Sequence, residues 1–542
     1  MQRRMKKQSA AKKKVKNTYN YQLLLIGLLV SALYVRTTHF DFVGLDDNIL
    51  IKANYKYIKN IGNFFSAFSH DVFYNPTSPS SSSGFYYRPL VTVSLMIDAQ
   101  FSNQNPGFYH FTNILIHLFC CLLLVRFLLV YGYSSQLAFL GGLILAVHPM
   151  LSQAVGWIPG RNDSMLTLCI LASLIFYKNY VDTGNTKRLF LHLLFFLSAL
   201  FTKETAIFLP IVSFFWYFLI HLPQDKIQVK FREKNFVRTL AGYLVIGLIW
   251  FFMRKHVVAA TQADLSPAHL LQTFISNFPV YFQLLQKMIF PYNLSIMSVA
   301  ADTNYLIALP LIALVILLLV FSKGKSKAAL LWGFAWFNVF LLPSFLVPIL
   351  TGFEHRAYLP MIGFLLMLFE IDFMKNLDFR KKPALVAVIA AILIFSLVNT
   401  SQTGAFANNF RFWEKASENS PHSALAKLNY GAALVQQGRK EDALRTYWEG
   451  LKINPNEPMI HNNIAVVYTG VQQFDSAKKE FAEEIRVNPA YADAYYNLGV
   501  TYEKLRDTAQ MISNWQKALE INPHQQLARR ALEKATHPPG IR

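Results

Sequence analysis

The chain has 542 residues, of which 53% are hydrophobic, 15% aromatic and only 15% charged, a balance that excludes a soluble multidomain enzyme. Its formal charge of +21 is unevenly placed: from Pro421 onward 15 Lys and Arg face 13 Asp and Glu, leaving 37 against 18 before that point. Cys120, Cys121 and Cys169 all lie inside apolar runs, so they read as packing residues and exclude a disulfide scaffold.

Apolar runs long enough to cross a hydrocarbon core of about 30 Å recur from Tyr21 to Thr400, which predicts a polytopic, all-α membrane domain. A basic tail, 1–18, precedes it. Further positive loops at Lys187/Arg188, Lys226 to Arg238, Lys323/Lys325/Lys327 and Arg380 to Lys382 mark the cytoplasmic side. With those markers the spans fall near 20–37, 109–130, 136–152, 164–181, 188–202, 204–221, 238–254, 303–321, 328–349, 357–374 and 383–400. About eleven spans place the N-terminus in the cytoplasm and the C-terminus outside. The first is expected to be an uncleaved anchor. Phe278 to Phe290, interrupted by Gln283, Gln286 and Lys287, reads as an interfacial helix.

The membrane domain is expected to cover 19–402, with a long first external loop, 38–108. That loop contains Asp41, Asp46, Asp47, a Ser/Pro-rich stretch from Pro76 to Ser83, and Arg88. Ile58 to Phe68 and Pro89 to Ala99 have the periodicity of short helices on the membrane surface. A connector, 403–420, leads to a region with a fixed period. Pro421, Pro455, Pro489 and Pro523 are 34 residues apart, as are Gly431, Ala465 and Gly499, and Tyr447, Phe481 and Trp515. Such spacing predicts stacked helix pairs: about three tetratricopeptide repeats over 421–536 with a final capping helix, then a tail, 537–542. Asn429, Asn462, Asn463 and Asn497 recur on the first helices and are suited either to gripping an acceptor peptide backbone or to bonding between helices.

Four polar groups fall on the external face: Asp46/Asp47; His148 to Asp163 (HPMLSQAVGWIPGRND); Lys203/Glu204; and Glu354-His355-Arg356, with Tyr358 just beyond. Singly, each has a plain explanation as a solvated pair, a helix end or a local ion pair. Together they mix acids and cations at one membrane surface, where polar groups mark sites. A carboxylate can take a hydroxyl proton while Arg and Lys stabilise a departing phosphate, which suits group transfer from a phosphorylated, lipid-borne donor.

These residues resemble the GT-C glycosyltransferases, and most nearly the protein O-mannosyltransferases that join such a domain to tetratricopeptide repeats. The resemblance rests on Asp46-Asp47, on His148-Pro149 with Ser152-Gln153-Ala154-Val155 and Gly160-Arg161-Asn162-Asp163, on Lys203-Glu204, and on Glu354-His355-Arg356-Ala357-Tyr358-Leu359-Pro360. It implies a polyprenyl-phosphate sugar as donor substrate, a hydroxyl acceptor, inversion, and an aspartate base that maps onto Asp46 or Asp47. Asp46 is expected as base and Asp47 as the residue that positions the acceptor. Arg161, Arg356 and Lys203 are expected on the donor phosphate, assisted by His148 and His355. Asp163, Glu204 and Glu354 are expected to hold those cations in place. Gln153 stands where many relatives carry Glu, and His355 separates Glu354 from Arg356, both departures that bear on sugar or acceptor preference. No spacing selects a metal, and none is expected. The compact repeat region fits a bacterial plasma membrane, with an endoplasmic reticulum membrane as the alternative. A lipid or glycan acceptor, or a non-catalytic scaffold recruiting partners through its repeats, are the competing functions.

Overall fold

A computed structural model describes residues 20–76, 86–222, 233–258, 266–347 and 352–536. The basic tail, most of the Ser/Pro-rich stretch, part of the loop from Lys226 to Arg238 and the last six residues lie outside them. Every regular element among the described residues is helical. The chain separates into two compact units, Met1–Ile296 with Thr303–Phe412, and Met297–Asp302 with Trp413–Arg542.

In the first unit seven helices are long and apolar enough to cross a membrane: Asn20–His39, Pro106–Val130, Ile158–Thr183, Glu204–His221, Lys234–Val257, Lys327–Leu346 and Lys382–Phe406. An eighth is the pair Ser135–Val147 and Pro149–Gly156, bent by 54°. The bend falls at His148-Pro149, where proline lacks an N–H and drives His148 to an extended conformation (φ −61°, ψ 118°). Three other expected spans form helices too short to cross alone: Thr186–Leu200, Tyr305–Phe321 and Pro360–Leu368. Lys382–Phe406 buries only 6% of its apolar window, and Leu397 is 72% exposed, surface that water would not tolerate and lipid tails cover.

The first external loop builds its own core. Leu50, Ile51, Tyr57, Ile58, Leu95 and Met96 pack with Tyr109 and Ile158 at the mouths of two spans. Helix Pro89–Ser102 packs much of its circumference into the loop core, Asp98 included, and leaves Ile97 and Phe101 exposed. Helix Pro279–Ile289 forms where an interfacial helix is expected, but its polar residues point inward: Gln283, Gln286 and Lys287 are buried. Partners explain the difference, since Lys287 finds Glu354 at 2.8 Å and Gln286 donates to the Tyr292 carbonyl at 3.2 Å.

The second unit is an α-solenoid of three helix pairs, Ala424–Gln436 with Lys440–Ile453, Ile460–Gly470 with Phe474–Val487, and Ala492–Lys504 with Thr508–Ile521, followed by Gln526–Thr536. The 34-residue period has a steric cause. A side-chain carbon on Gly431 would meet the Tyr447 ring at 2.3 Å, and one on Gly499 would meet the Trp515 indole at 2.4 Å. Ala465 and Phe481 pack together in the middle repeat. The aromatic of each second helix therefore fills the space that the small residue of the first leaves.

Candidate active site

Asp46 and Asp47 follow the first span and open the π-helical turn Asn48–Lys52. The two carboxyls differ sharply. Asp47 is buried, its Oδ2 accepts the Val43 N–H at 2.8 Å, and its Oδ1 has no partner among the described residues. Burial, reinforced by the neighbouring Asp46, pushes Asp47 up to about 8, so it holds its proton at neutral pH. Asp46 is half-buried and pushed up only to about 6, because Arg88 pulls against the burial. At neutral pH Asp46 is mostly ionised and Asp47 mostly is not.

Arg88, which acts on Asp46, belongs to a set of charges from four stretches of chain. Arg88 donates through Nε and Nη2 to Glu204 Oε2 at 3.1 and 3.0 Å. Burial alone would lower the Arg88 pKa; the Glu204 charge and hydrogen bond outweigh it and raise it. Lys203, one residue before, donates to both oxygens of Asp163 at 2.7 and 2.8 Å. Its ammonium is lowered by burial and by the charges of Arg88 and Arg356, with Asp163 opposing. His355 turns Nε2 toward Asp163 Oδ2 at 3.7 Å. Arg356 lies over the Phe353 ring at 5.3 Å, and its Nη1 is buried with no hydrogen-bond partner among the described residues. Burial lowers Arg356, while Asp163 and Tyr86 act to raise it.

Two pairs thus neutralise each other, Arg88 with Glu204 and Lys203 with Asp163. Asp46 makes no hydrogen bond among the described residues, and Arg356 keeps a free guanidinium nitrogen. Arg88 thus links Asp46 electrostatically to the paired charges and to Arg356.

Several expected roles are corrected. Arg161 is committed elsewhere: its guanidinium is fully buried and donates to Asn113 Oδ1 at 2.8 Å, Asp98 Oδ2 at 2.5 Å, Ser94 Oγ at 3.3 Å and the Tyr109 carbonyl at 2.8 Å, while its charge acts on Asp47. Four of its five N–H groups are thus spent inside the protein, so it offers phosphate no fork. Asp163 accordingly serves Lys203 and not Arg161. Glu204 holds Arg88, and Glu354 holds Lys287 while accepting the Ser295 N–H at 2.6 Å. Burial raises Glu354, and the Lys287 charge resists it. His148 is turned into the protein, with Nε2 on the Met288 carbonyl at 3.1 Å and its ring edge-on to Phe395. Tyr358 is a core residue, its hydroxyl 2.6 Å from His117 Nδ1.

The four asparagines are also engaged. Asn497 donates to Asn462 Oδ1 at 3.0 Å and Asn462 to Asn463 Oδ1 at 3.1 Å, while Asn429 caps a carbonyl of its own helix at Leu425. Asn462 is buried and its bond to Asn497 joins first helices of neighbouring repeats, while Asn429, Asn463 and Asn497 are partly exposed.

Arg88, Asp98 and Lys287 belong to these networks, though the sequence assigns Arg88 and Lys287 no partner and does not single out Asp98. Arg88 immediately precedes the proline that starts a helix, a weak positional signal; Asp98 and Lys287 sit alone in apolar segments, where an unmatched charge signals a buried partner.

Taken together, the molecule is a polytopic helical membrane protein that carries an acid and cation cluster and a tetratricopeptide solenoid. The tetratricopeptide repeat family model matches residues 492–525. The Caenorhabditis elegans protein "Protein O-mannosyl-transferase F38B6.6" is 25% identical over 458 residues, 80% of this chain and 63% of its own length. The mouse protein "Protein O-mannosyl-transferase TMTC4" is 23% identical, covering 78% of this chain and 65% of its own. The human "Protein O-mannosyl-transferase TMTC1" is 23% identical over 70% of this chain and 49% of its own. This chain resembles the protein O-mannosyl-transferases with tetratricopeptide repeats, and it spans less than two thirds of the length of these relatives.

Proposed function

We propose that the protein transfers a hexose, mannose in the first instance, from a polyprenyl phosphate to a serine or threonine hydroxyl of a protein. The observation that carries this reading is that the Arg88 charge acts on both Asp46, an acid without a hydrogen bond among the described residues, and Arg356, whose Nη1 is unpaired there. Asp46 accepts the hydroxyl proton as the oxygen attacks the anomeric carbon. The carbon–oxygen bond to phosphate breaks on the opposite side, so the configuration inverts, and the polyprenyl phosphate departs with the bonding electrons. Its growing charge meets the free Arg356 nitrogen first, with Lys203 and Arg88 close enough to add to the field. Asp47, protonated, serves as a hydrogen-bond donor beside the acceptor.

The tetratricopeptide unit engages the protein acceptor, and the site faces the periplasmic side of a bacterial plasma membrane or, equivalently, a lumen. Similarity to relatives named as O-mannosyl-transferases supports the sugar and the protein acceptor. Intact mass spectrometry of exported proteins from cells with and without the gene tests this directly. The expected result is loss of hexose increments on Ser or Thr; identical mass profiles contradict it.

A further inference from the structure

Three nitrogen-bearing side chains gather around Phe353. Trp157 stacks on it, with centroids 6.0 Å apart and planes at 21°. His355 lies 5.2 Å from Phe353 and 5.4 Å from Trp157, and the Arg356 guanidinium sits 5.3 Å over the Phe353 face. Each of the three has one nitrogen withdrawn from water and unpaired among the described residues: Trp157 Nε1, His355 Nδ1 and Arg356 Nη1. Trp157 is 4% exposed and His355 5%. Buried polar atoms are normally satisfied, so three unmet ones on one aromatic wall point to a ligand.

Their chemistry discriminates between ligand groups. Tryptophan and arginine nitrogens only donate. His355 is neutral, because burial and then the charges of Lys203, Arg356 and Arg88 hold its pKa well below the usual range. Its Nε2 lies 3.7 Å from the Asp163 carboxylate, and the tautomer with the ring proton on that side leaves Nδ1 as an acceptor. Phosphodiester oxygens only accept, so they satisfy Trp157 and Arg356 but have nothing to give Nδ1. A sugar hydroxyl both accepts and donates, so it can meet all three nitrogens.

We propose that Trp157 and His355 form the subsite for the transferred sugar, with Trp157 Nε1–H donating to, and His355 Nδ1 accepting from, hydroxyls of the hexose whose phosphate Arg356 holds. This rests on the lipid-linked donor proposed above, and it takes His355 away from the phosphate and gives it to the sugar. Trp157 becomes a specificity residue that lies between two familiar-looking motif segments.

The test is a binding measurement on the full-length protein in nanodiscs, with two probes: polyprenyl-phosphate mannose, and polyprenyl phosphate without sugar. Trp157→Phe keeps a ring and removes the N–H; His355→Phe keeps a ring and removes both nitrogens. Each is expected to weaken binding of the sugar-bearing lipid about tenfold while leaving the sugar-free lipid within about twofold of wild type, which also certifies the fold. If both lipids weaken alike, or neither does, the sugar subsite is overturned and the lipid-linked donor stands. If the wild-type protein binds neither lipid, the donor reading fails and the subsite fails with it.

Discussion

The Lys203 ammonium reaches both carboxylate oxygens of Asp163, at 2.7 and 2.8 Å, joining the turn before one span to the first turn of another. Both side chains are largely withdrawn from solvent. Removing Asp163 leaves Lys203 buried beside the like charges of Arg88 and Arg356, and removing Lys203 takes both hydrogen bonds from a buried carboxylate. Lys203→Met or Asp163→Leu alone is expected to cost about 3–5 kcal/mol, and the double substitution markedly less than their sum. Unfolding in mixed micelles, read as a double-mutant cycle, checks this; strictly additive losses contradict the pairing.

The acid limb of the pH profile follows from Asp46. A base works only when ionised, so kcat/KM rises with pH up to about 6, falling roughly tenfold for each unit below it. Arg88 holds that value down against burial. Arg88→Gln is therefore expected to move the acid limb to higher pH, and a limb that stays in place or moves the other way would show that Asp46 is not the titrating group. Initial rates across pH with saturating acceptor make the measurement.

Arg161 offers a separate check, because its four donor contacts are all internal. A lysine cannot reproduce a planar fork, so Arg161→Lys is expected to lower stability by about 3 kcal/mol. The protein that survives should keep its KM for the lipid donor within about twofold, since the residue does not touch it. A large rise in donor KM with unchanged stability would restore Arg161 to the phosphate.

How much of this was legible beforehand depends on what kind of signal each residue leaves. The repeats were readable because Gly431 and Gly499 must be small opposite Tyr447 and Trp515, a steric demand that imprints a period on the chain. The helix end at His148-Pro149 is readable from proline chemistry, but the expected span 136–152 runs through it where the structure bends by 54°. The charge partners were not. Arg161 and Arg356 look alike in sequence, and only folding reveals that Asp98, brought by a loop helix, occupies the first and leaves a nitrogen of the second open. Short helices misled for a related reason: the polar residues of Pro279–Ile289 suggest a water-facing side until Glu354 supplies a buried partner for Lys287.

The most direct test of the account separates two adjacent carboxyls. Purified protein reconstituted with polyprenyl-phosphate mannose and an acceptor protein, assayed at pH 7 in a single turnover, should lose about 10²–10⁴-fold in rate with Asp46→Asn. Asp47→Asn preserves the neutral, hydrogen-bonding form that burial already enforces, and should retain activity within about tenfold of wild type. Equal loss from both substitutions, or full activity in Asp46→Asn, would contradict the assignment of Asp46 as the base.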